Sequence, residues 1–442
     1  MQTKTIYDFA AIGVGPFNLS LACLTAPLND LNGIFLDKRE SFNWHAGMML
    51  QDTTLQIPFM ADLVTLADPT SPYSFLNYIK KQGRIYSFYI RENFLLLRNE
   101  YNQYCQWVIR QLPNVHFGQQ VEKTEYDDAA GCYVITTMDV RTGDVHTIRA
   151  RKLVLGTGTV PHVPACCQDV MGKAIHSASY LHHKKRLQSR KSITVVGSGQ
   201  SAAEVYYDLL QEIDTYGYAL HWITRSPRFF PLEYSKLTLE MTSPEYVDYF
   251  FDLQPETRDR LLKSQQHLYK GINKDLIGAI YDLLYTKRLS QPITVSLRTN
   301  AELKQVIPDD SGDGFTLELH QNEQNKAYTQ YTEGLVLATG YTYRLPDFLS
   351  SLSDRIMLDA KGRLDVHRNY TIDRNRGEIF VQNAELHTHG FVTPDLGMGC
   401  YRNSYIIKEM TGREHYPIEK RIAFQQFEAP EETAVPAAST EW

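Results

Sequence analysis

The sequence predicts an α/β protein with two Rossmann-like dinucleotide-binding domains and a small, mainly helical third domain. Three observations carry that reading. An apolar run that meets a glycine turn and continues as a helical pattern occurs twice, as YDFAAIGVGPFNLSLACLTAP from Tyr7 and as SITVVGSGQSAAEVYYDLLQEI from Ser192. Each is followed, about 20 residues on, by a further apolar run, as a βαβ unit requires. Between residues 231 and 290 the pattern turns helical, in PEYVDYFFDL, ETRDRLLKSQQHLY and KDLIGAIYDLLYTKRL.

In the first unit, Phe9 to Ile12 reads as the strand and the helix begins near Phe17. Gly13 makes the tight turn, Gly15 lets a pyrophosphate approach the helix N-terminus, and Pro16 and Asn18 complete the fingerprint. The next strand, in GIFLDKRE, ends in Asp37, where an acid accepts ribose hydroxyls. That site suits FAD. In the second unit, Gly197 and Gly199 repeat the turn, Gln200 and Ser201 open the helix, and LHWITRSP ends in Arg225 and Ser226. A cation there pairs with the 2′-phosphate that an acid would repel, so this site suits NADPH.

ARKLVLGTGTVPHVP and EGLVLATGYTYRLP are both apolar strands that end in a small-residue turn followed by proline. They read as segments that return the chain from one nucleotide domain to the other. The resulting map has a discontinuous FAD domain, 1–164 and 331–427, and an inserted NADPH domain, 165–230 and 291–330. Residues 231–290 form a helical substrate-binding domain, and 428–442, rich in proline, alanine and acids, form a disordered tail.

A chain of 442 residues exceeds one ordinary core, and 43% hydrophobic with 22% charged residues is a globular composition. A net charge of -6 offers no basic face, which excludes nucleic acid as a partner and favours a neutral or cationic small molecule. The six cysteines include no C-x-x-C and no metal-ligand spacing, so they read as reduced thiols, the adjacent Cys166 and Cys167 included, and no metal site is expected. Without a signal peptide or an apolar run long enough to span a bilayer, the expectation is a cytoplasmic protein.

Two correctly placed fingerprints point to a two-dinucleotide flavoenzyme. A disulfide reductase would need a redox-active cysteine pair beside the flavin, which is absent, whereas a monooxygenase needs none because reduced flavin itself carries O2. Between the fingerprints, Gly172 to Tyr180 approximates the F-x-G-x3-H-x3-(W/D) linker of NADPH-dependent flavin monooxygenases, with Val170 and Tyr180 as departures. His176 is either that linker histidine or a loop histidine with no special role.

A wider set of motifs is similar to the siderophore N-hydroxylating monooxygenases, the lysine and ornithine N-monooxygenase family. It comprises GVGPFN, Phe42-Asn-Trp44-His45-Ala-Gly47-Met48, Leu55-Gln56, Asp62-Leu63-Val64, Pro69-Thr70-Ser71-Pro72 with Tyr73-Ser-Phe75-Leu-Asn77-Tyr78, GSGQSAAE, Ala338-Thr339-Gly340-Tyr341 and His387-Thr388-His389-Gly390. The resemblance runs from about residue 6 to 410. It implies FAD held by Gly13, Gly15, Pro16, Asn18, Asp37, Trp44, His45, Gln56, Thr339 and Gly340, and NADPH held by Gly197, Gly199, Gln200, Ser201 and Arg225. It also implies that Gln56 and Asn77 position the reactants, that no side chain acts as nucleophile, and that the assembly is a homotetramer or dimer. In this family NADPH reduces the flavin, O2 gives a C4a-hydroperoxide, and a primary amine attacks its distal oxygen while NADP+ stays bound. The amine must be neutral to attack, so activity should rise towards alkaline pH.

The stretch LQIPFMADLVTLADPTSPYSFLNYI, Leu55 to Ile79, has formal charges only at Asp62 and Asp68. In the amino-acid hydroxylases the corresponding segment resembles F-L-K-D-L-V, whose lysine holds the substrate α-carboxylate. Here Ala61 stands in that place. A buried carboxylate left unpaired costs several kcal/mol, so the resemblance implies a substrate without one. An aliphatic diamine, putrescine or cadaverine, meets that condition, in hydroxamate siderophore biosynthesis. Leu239 falls where ornithine enzymes tend to have asparagine and Gly397 where serine is usual, while Asp395 and Glu240 are candidates to hold the distal ammonium. The alternatives are an L-lysine or L-ornithine monooxygenase, in which Lys236 or Lys270 replaces the missing clamp, and a nucleotide-binding, redox-sensing scaffold without catalysis.

Overall fold

The first glycine turn joins the strand Ile6–Ile12 to the helix Pro16–Thr25, and the chain returns as the parallel strand Gly33–Asp37, with Phe9 opposite Gly33 and Ile12 opposite Leu36. Every residue of Gly33–Asp37 is buried, as befits a parallel strand covered on both faces. The structure is a computed structural model that describes residues 5–310 and 312–430. Around this βαβ unit a seven-stranded sheet runs in the order Val115–Phe117, Gly33–Asp37, Ile6–Ile12, Val145–Leu155, Cys132–Asp139, Gln119–Asp127. Its seventh strand, Ile379–Val381, comes from the far end of the chain and pairs in parallel with Val145–Leu155. The antiparallel run from Gln119 to Leu155 is a feature that the glycine-turn reasoning does not anticipate.

The second unit is a five-stranded parallel sheet in the order Ile175–His176, Gly334–Leu337, Ser192–Val196, Ala219–Ile223, Val295–Arg298. An antiparallel sheet of Ala301–Pro308, Phe315–Gln321 and Lys326–Thr332 follows it in sequence and packs beside it. Two expected boundaries shift. Gly334–Leu337, four consecutive buried residues, lies inside the second sheet although 331–427 was assigned to the first domain, so the return crossing begins only at Ala338. Residues 231–290 also divide. The helices Pro244–Asp252 and Pro255–Ser264 pack with Leu386 and Phe391 and are tied to the C-terminal part of the chain by Arg368–Asp248 (2.6 Å) and Arg363–Asp259 (2.8 Å). The long helix Lys274–Ser290 instead lays Leu276, Ile277, Ile280, Leu283 and Leu284 against the second fingerprint helix, Gln200–Gln211. Its apolar stripe faces the second unit, which is why the helical region is not one body.

The two chain crossings between the units are joined to each other. Tyr341–Thr342 pairs antiparallel with Val160–Pro161, the Gly340 carbonyl accepts from the His162 N–H (2.9 Å), and the Thr339 hydroxyl donates to the His162 carbonyl (2.5 Å). Near the C-terminus, Glu245 accepts from the Ile422 and Ala423 N–H groups and Phe427 packs edge-on against Tyr246. Of the tail expected over 428–442, residues 431–442 lie outside the described residues. All six cysteines are free, with the Cys166 and Cys167 sulfurs 3.8 Å apart. Among the described residues no helix is long and apolar enough to cross a membrane.

The nearly uncharged stretch from Leu55 to Ile79 is organised by its buried acid. Asp62, 3% exposed, accepts from the Val64, Thr65 and Phe75 N–H groups and from the Thr65 hydroxyl, at 2.6–2.9 Å. Burial nevertheless pushes its pKa up, against those four bonds. Ser74 caps the helix Phe75–Lys81 that follows. Replacing Asp62 by alanine strands three backbone donors in a dry site and is expected to destabilise the protein by about 3 kcal/mol or more, read as a lowered midpoint in urea unfolding.

Candidate active site

Both glycine turns are built alike. Gly13 has φ +87° and Gly197 φ +149°, and a Cβ on either would collide with the carbonyl of a returning segment, Gly156 in the first unit and Ala338 in the second. By contrast, nothing stands within 4 Å of a Cβ at Gly15, and at Gly199 only the Lys270 carbonyl does, at 3.6 Å. The first glycine is therefore required by packing and the second leaves the helix N-terminus open. The exposed N–H groups and the helix dipole make both openings fit a pyrophosphate.

At the first turn Asp37 accepts from the Val14 N–H (2.8 Å) and from Arg39. Burial works against its charge, but Arg39 and those N–H groups outweigh it and hold the carboxyl below the usual carboxylate range. Asn18 is buried and faces inward, donating to the Gly13 carbonyl (2.7 Å) and accepting from Gln382 (2.9 Å), so it secures the turn and does not reach the opening. Trp44 donates its N–H to Asn102 and its ring lies 4.6 Å from that of His45. His45 adopts φ +55°, is exposed, and has its ring 6.1 Å from that of Tyr341. Surrounding protein, with Arg98 and Arg39, lowers its pKa to about 4 and keeps it neutral at pH 7.

Gln56 and Gln200, widely separated in sequence, meet where the two units touch: the Gln56 amide donates to Gln200 Oε1 at 3.0 Å. Gln200 in turn donates to Glu204 (2.8 Å), which forms a two-pronged ion pair with Arg98 at 2.6 and 2.8 Å. Arg225 is exposed just beyond its strand, Thr339 and Gly340 sit on the joined crossings, and Ser201 lies in the first turn of the second helix. His176 is a fixed part of the joint. Its Nδ1 accepts from the Ala178 N–H, which leaves Nε2–H to donate to the Gly340 carbonyl at 3.1 Å. Nearby, a Cβ at Gly47 would collide with the Ala178 carbonyl, so the Trp44–Met48 motif also closes against this linker.

Three of the expected substrate residues come together and two do not. A Cβ at Gly397 would lie 3.7 Å from that of Ala61 and 3.2 Å from Asp395 Oδ1, and Asp395 accepts from the Gly397 N–H at 2.8 Å. Burial raises the Asp395 pKa, and burial, with the Asp395 charge as a smaller cause, pushes Tyr234 up to about 12. Leu239 is exposed on the short helix Lys236–Leu239, which buries nothing. Glu240 is committed elsewhere, accepting from the Phe424 and Gln425 N–H groups at 3.0 Å, and is not an ammonium site. The Asn77 amide is engaged locally, donating to the Pro72 carbonyl within its own turn. Asn273 and the Arg98–Glu204 pair escaped sequence reasoning, since each acts through a partner far away in the chain.

Two dinucleotide openings at one hydrogen-bonded joint define a two-dinucleotide flavoprotein fold. The chain belongs to the L-lysine 6-monooxygenase/L-ornithine 5-monooxygenase family, which it matches over residues 5–343. It is 56% identical over 424 residues to a putrescine N-hydroxylase of Shewanella oneidensis, covering 96% of this chain and 84% of that one. It superposes with a TM-score of 0.95 and 57% identity on the FAD-bound crystal structure of DfoA, the cadaverine monooxygenase of desferrioxamine biosynthesis from Erwinia amylovora, covering 97% of this chain and 100% of that one. Identity to the L-lysine N6-monooxygenase of Escherichia coli is 30%, over 96% of this chain and 99% of that one.

Burial lowers the pKa of His176 and takes that of His389 well below its ordinary value, whereas in the unfolded chain each binds a proton near pH 6.5. Below about pH 6.5 the unfolded state binds more protons, so stability falls as pH falls. Thermal unfolding between pH 7 and pH 5 is expected to show this loss, with a shallower slope in the His389→Gln variant.

Proposed function

We propose that this protein hydroxylates one primary amine of an aliphatic diamine, putrescine or cadaverine, with FAD, NADPH and O2, as a cytoplasmic step of hydroxamate siderophore biosynthesis. The observation that carries the substrate reading is Ala61 beside Gly397 and Asp395. Where amino-acid hydroxylases are expected to place a cation for the α-carboxylate, this pocket has a methyl group and an anion. Asp395 repels a carboxylate and attracts an ammonium. Lys270, the alternative clamp, has its backbone against Gly199 and Arg225 as a neighbour, which ties it to the second nucleotide opening. The putrescine and cadaverine enzymes named above support the same reading.

When bound, FAD reduced by NADPH supplies the activation of O2 for transfer of one oxygen atom to the amine. The protein's part is placement. Gly15 and Gly199 leave room for the two pyrophosphates, Asp37 and Arg39 stand where a ribose would lie, and Arg225 is set for the 2′-phosphate. Asp395, beside Gly397, holds the distal ammonium. The apolar cluster of Val247, Val392 and Met398 beside Gly397 keeps the pocket dry and favours the neutral form of the reacting amine.

Hydroxylamine formation, measured with putrescine, cadaverine, L-lysine and L-ornithine side by side, tests this directly. Product is expected from the diamines and not from the amino acids; L-lysine as the best substrate would overturn the reading. Asp395→Asn is expected to lower kcat/KM for the diamine by about tenfold or more and to leave a simple alkylamine little changed. With the wild-type enzyme, kcat/KM should climb towards alkaline pH, by up to about tenfold per unit below the amine pKa. We also read the protein as a homo-oligomer, dimer or tetramer. Tyr281, Tyr285 and Leu289, on one face of the long helix and 61–71% exposed, support that, and light scattering that returns a single-chain mass would refute it.

A further inference from the structure

The Gln200 side chain lies where three parts of the molecule meet. It belongs to the first residue of the second fingerprint helix, whose backbone faces the dinucleotide opening, yet its amide turns into the joint between the units. Gln200 Oε1 accepts from the Gln56 amide of the flavin side (3.0 Å) and from the Asn273 N–H (2.8 Å), while Nε2 donates to Glu204 (2.8 Å). Only one orientation of the amide satisfies this arrangement. Rotated by half a turn, its NH2 would face two donors.

Asn273 begins a path to the substrate pocket. Its side chain caps the long helix by accepting from the Asp275 and Leu276 N–H groups at 2.8 and 3.1 Å, which fixes the peptide that donates to Gln200. The preceding residues form a tight pair with the chain that enters the helical region. The Ile272 N–H donates to Phe230 (2.9 Å), the Leu232 N–H donates to Ile272 (2.8 Å), and a Cβ at Gly271 would collide with the Leu232 backbone. In the same segment the Tyr269 ring stacks on Phe391 (centroids 6.3 Å apart), and the carbonyl of the adjoining Val392 accepts from the Asp395 N–H (3.0 Å). The same segment borders the second glycine turn, where the Lys270 carbonyl would lie 3.6 Å from a Cβ at Gly199.

We propose that Gln200 is a positioning residue that couples occupancy of the NADP(H) site to the substrate pocket, through Asn273 and the paired segments 230–233 and 270–273, and to the flavin side through Gln56. A dinucleotide seated on the second glycine turn holds Gln200, Gln200 holds the Asn273 peptide, and the segment carrying Tyr269 is held in turn. By linkage, NADP+ then tightens amine binding by the same factor as the amine tightens NADP+. The choice of amine rests on the diamine reading above, whereas the amide-exchange measurement below does not.

The FAD-loaded enzyme is compared with and without NADP+ by hydrogen–deuterium exchange over residues 267–273 and by titration with putrescine. In the wild type, NADP+ is expected to protect the amides of this segment, Asn273 included, and to tighten putrescine by about fivefold or more. In Gln200→Leu, with NADP+ kept saturating, the protection is lost and the factor falls to about one. Gln200→Glu keeps both acceptor contacts and is expected to retain part of the factor. Unchanged exchange over 267–273 in the wild type on adding NADP+ would overturn the proposal even if no variant folds. So would a Gln200→Leu enzyme that keeps the wild-type factor. Failure to bind putrescine at all, with the exchange effect intact, would count against the substrate reading and leave the coupling standing.

Discussion

The rest of the molecule depends on the joining of its two interdomain crossings. A chain that leaves one nucleotide domain and returns to it needs two connections, and two free strands would leave the domains loosely hinged. Here Val160–Pro161 pairs with Tyr341–Thr342, and His176 donates across to Gly340. These contacts fix the angle at which the second glycine turn faces the first. That angle puts Gln200 within reach of Gln56 and Glu204 within reach of Arg98, contacts that span 144 and 106 residues of sequence. The neutral state of His176 belongs to the same constraint: protonated, it could no longer accept from the Ala178 N–H.

Polar groups in this protein are buried in two distinct ways. Asp62 and Asn18 sit in dry surroundings but have donors and acceptors around them, and each builds a piece of backbone: the loop before the helix Phe75–Lys81, and the first glycine turn. Asp395 differs. Its side chain accepts from the Gly397 N–H, so a carboxylate with spare acceptor capacity stands in the proposed substrate pocket. Burial makes that charge unfavourable until a cation joins it, which gives the pocket a preference by sign before any question of length. One methylene between putrescine and cadaverine is a much smaller effect, about 1–3 kcal/mol.

The segments that shape the pocket come from both sides of the molecule. Helices Pro244–Asp252 and Pro255–Ser264 are bound to the C-terminal part of the chain by Asp248 and Asp259, with Lys361 joining Arg363 on Asp259. The helix Lys274–Ser290 is bound to the nucleotide unit by its apolar stripe and by Lys287–Asp214. Between them lies the short, tightly paired segment that contacts Gln200. A region so divided transmits a shift on one side to the other, because packed elements move as bodies and do not deform continuously.

By itself the sequence determined both βαβ units, their glycine turns, the acid at Asp37 and the cation at Arg225, because these are local patterns: strand, turn and helix follow one another within a few tens of residues. It also located the charge change at Ala61, since the motif around it is contiguous. Tertiary structure alone decided which distant residues share that pocket. It brought Asp395 and Gly397 to Ala61, committed Glu240 to the backbone of Phe424 and Gln425, turned Asn77 to its own loop, and placed Gly334–Leu337 in the second sheet. None of these is legible in sequence, because a side chain's partner is selected by packing across the fold and a spacing along the chain carries no record of it.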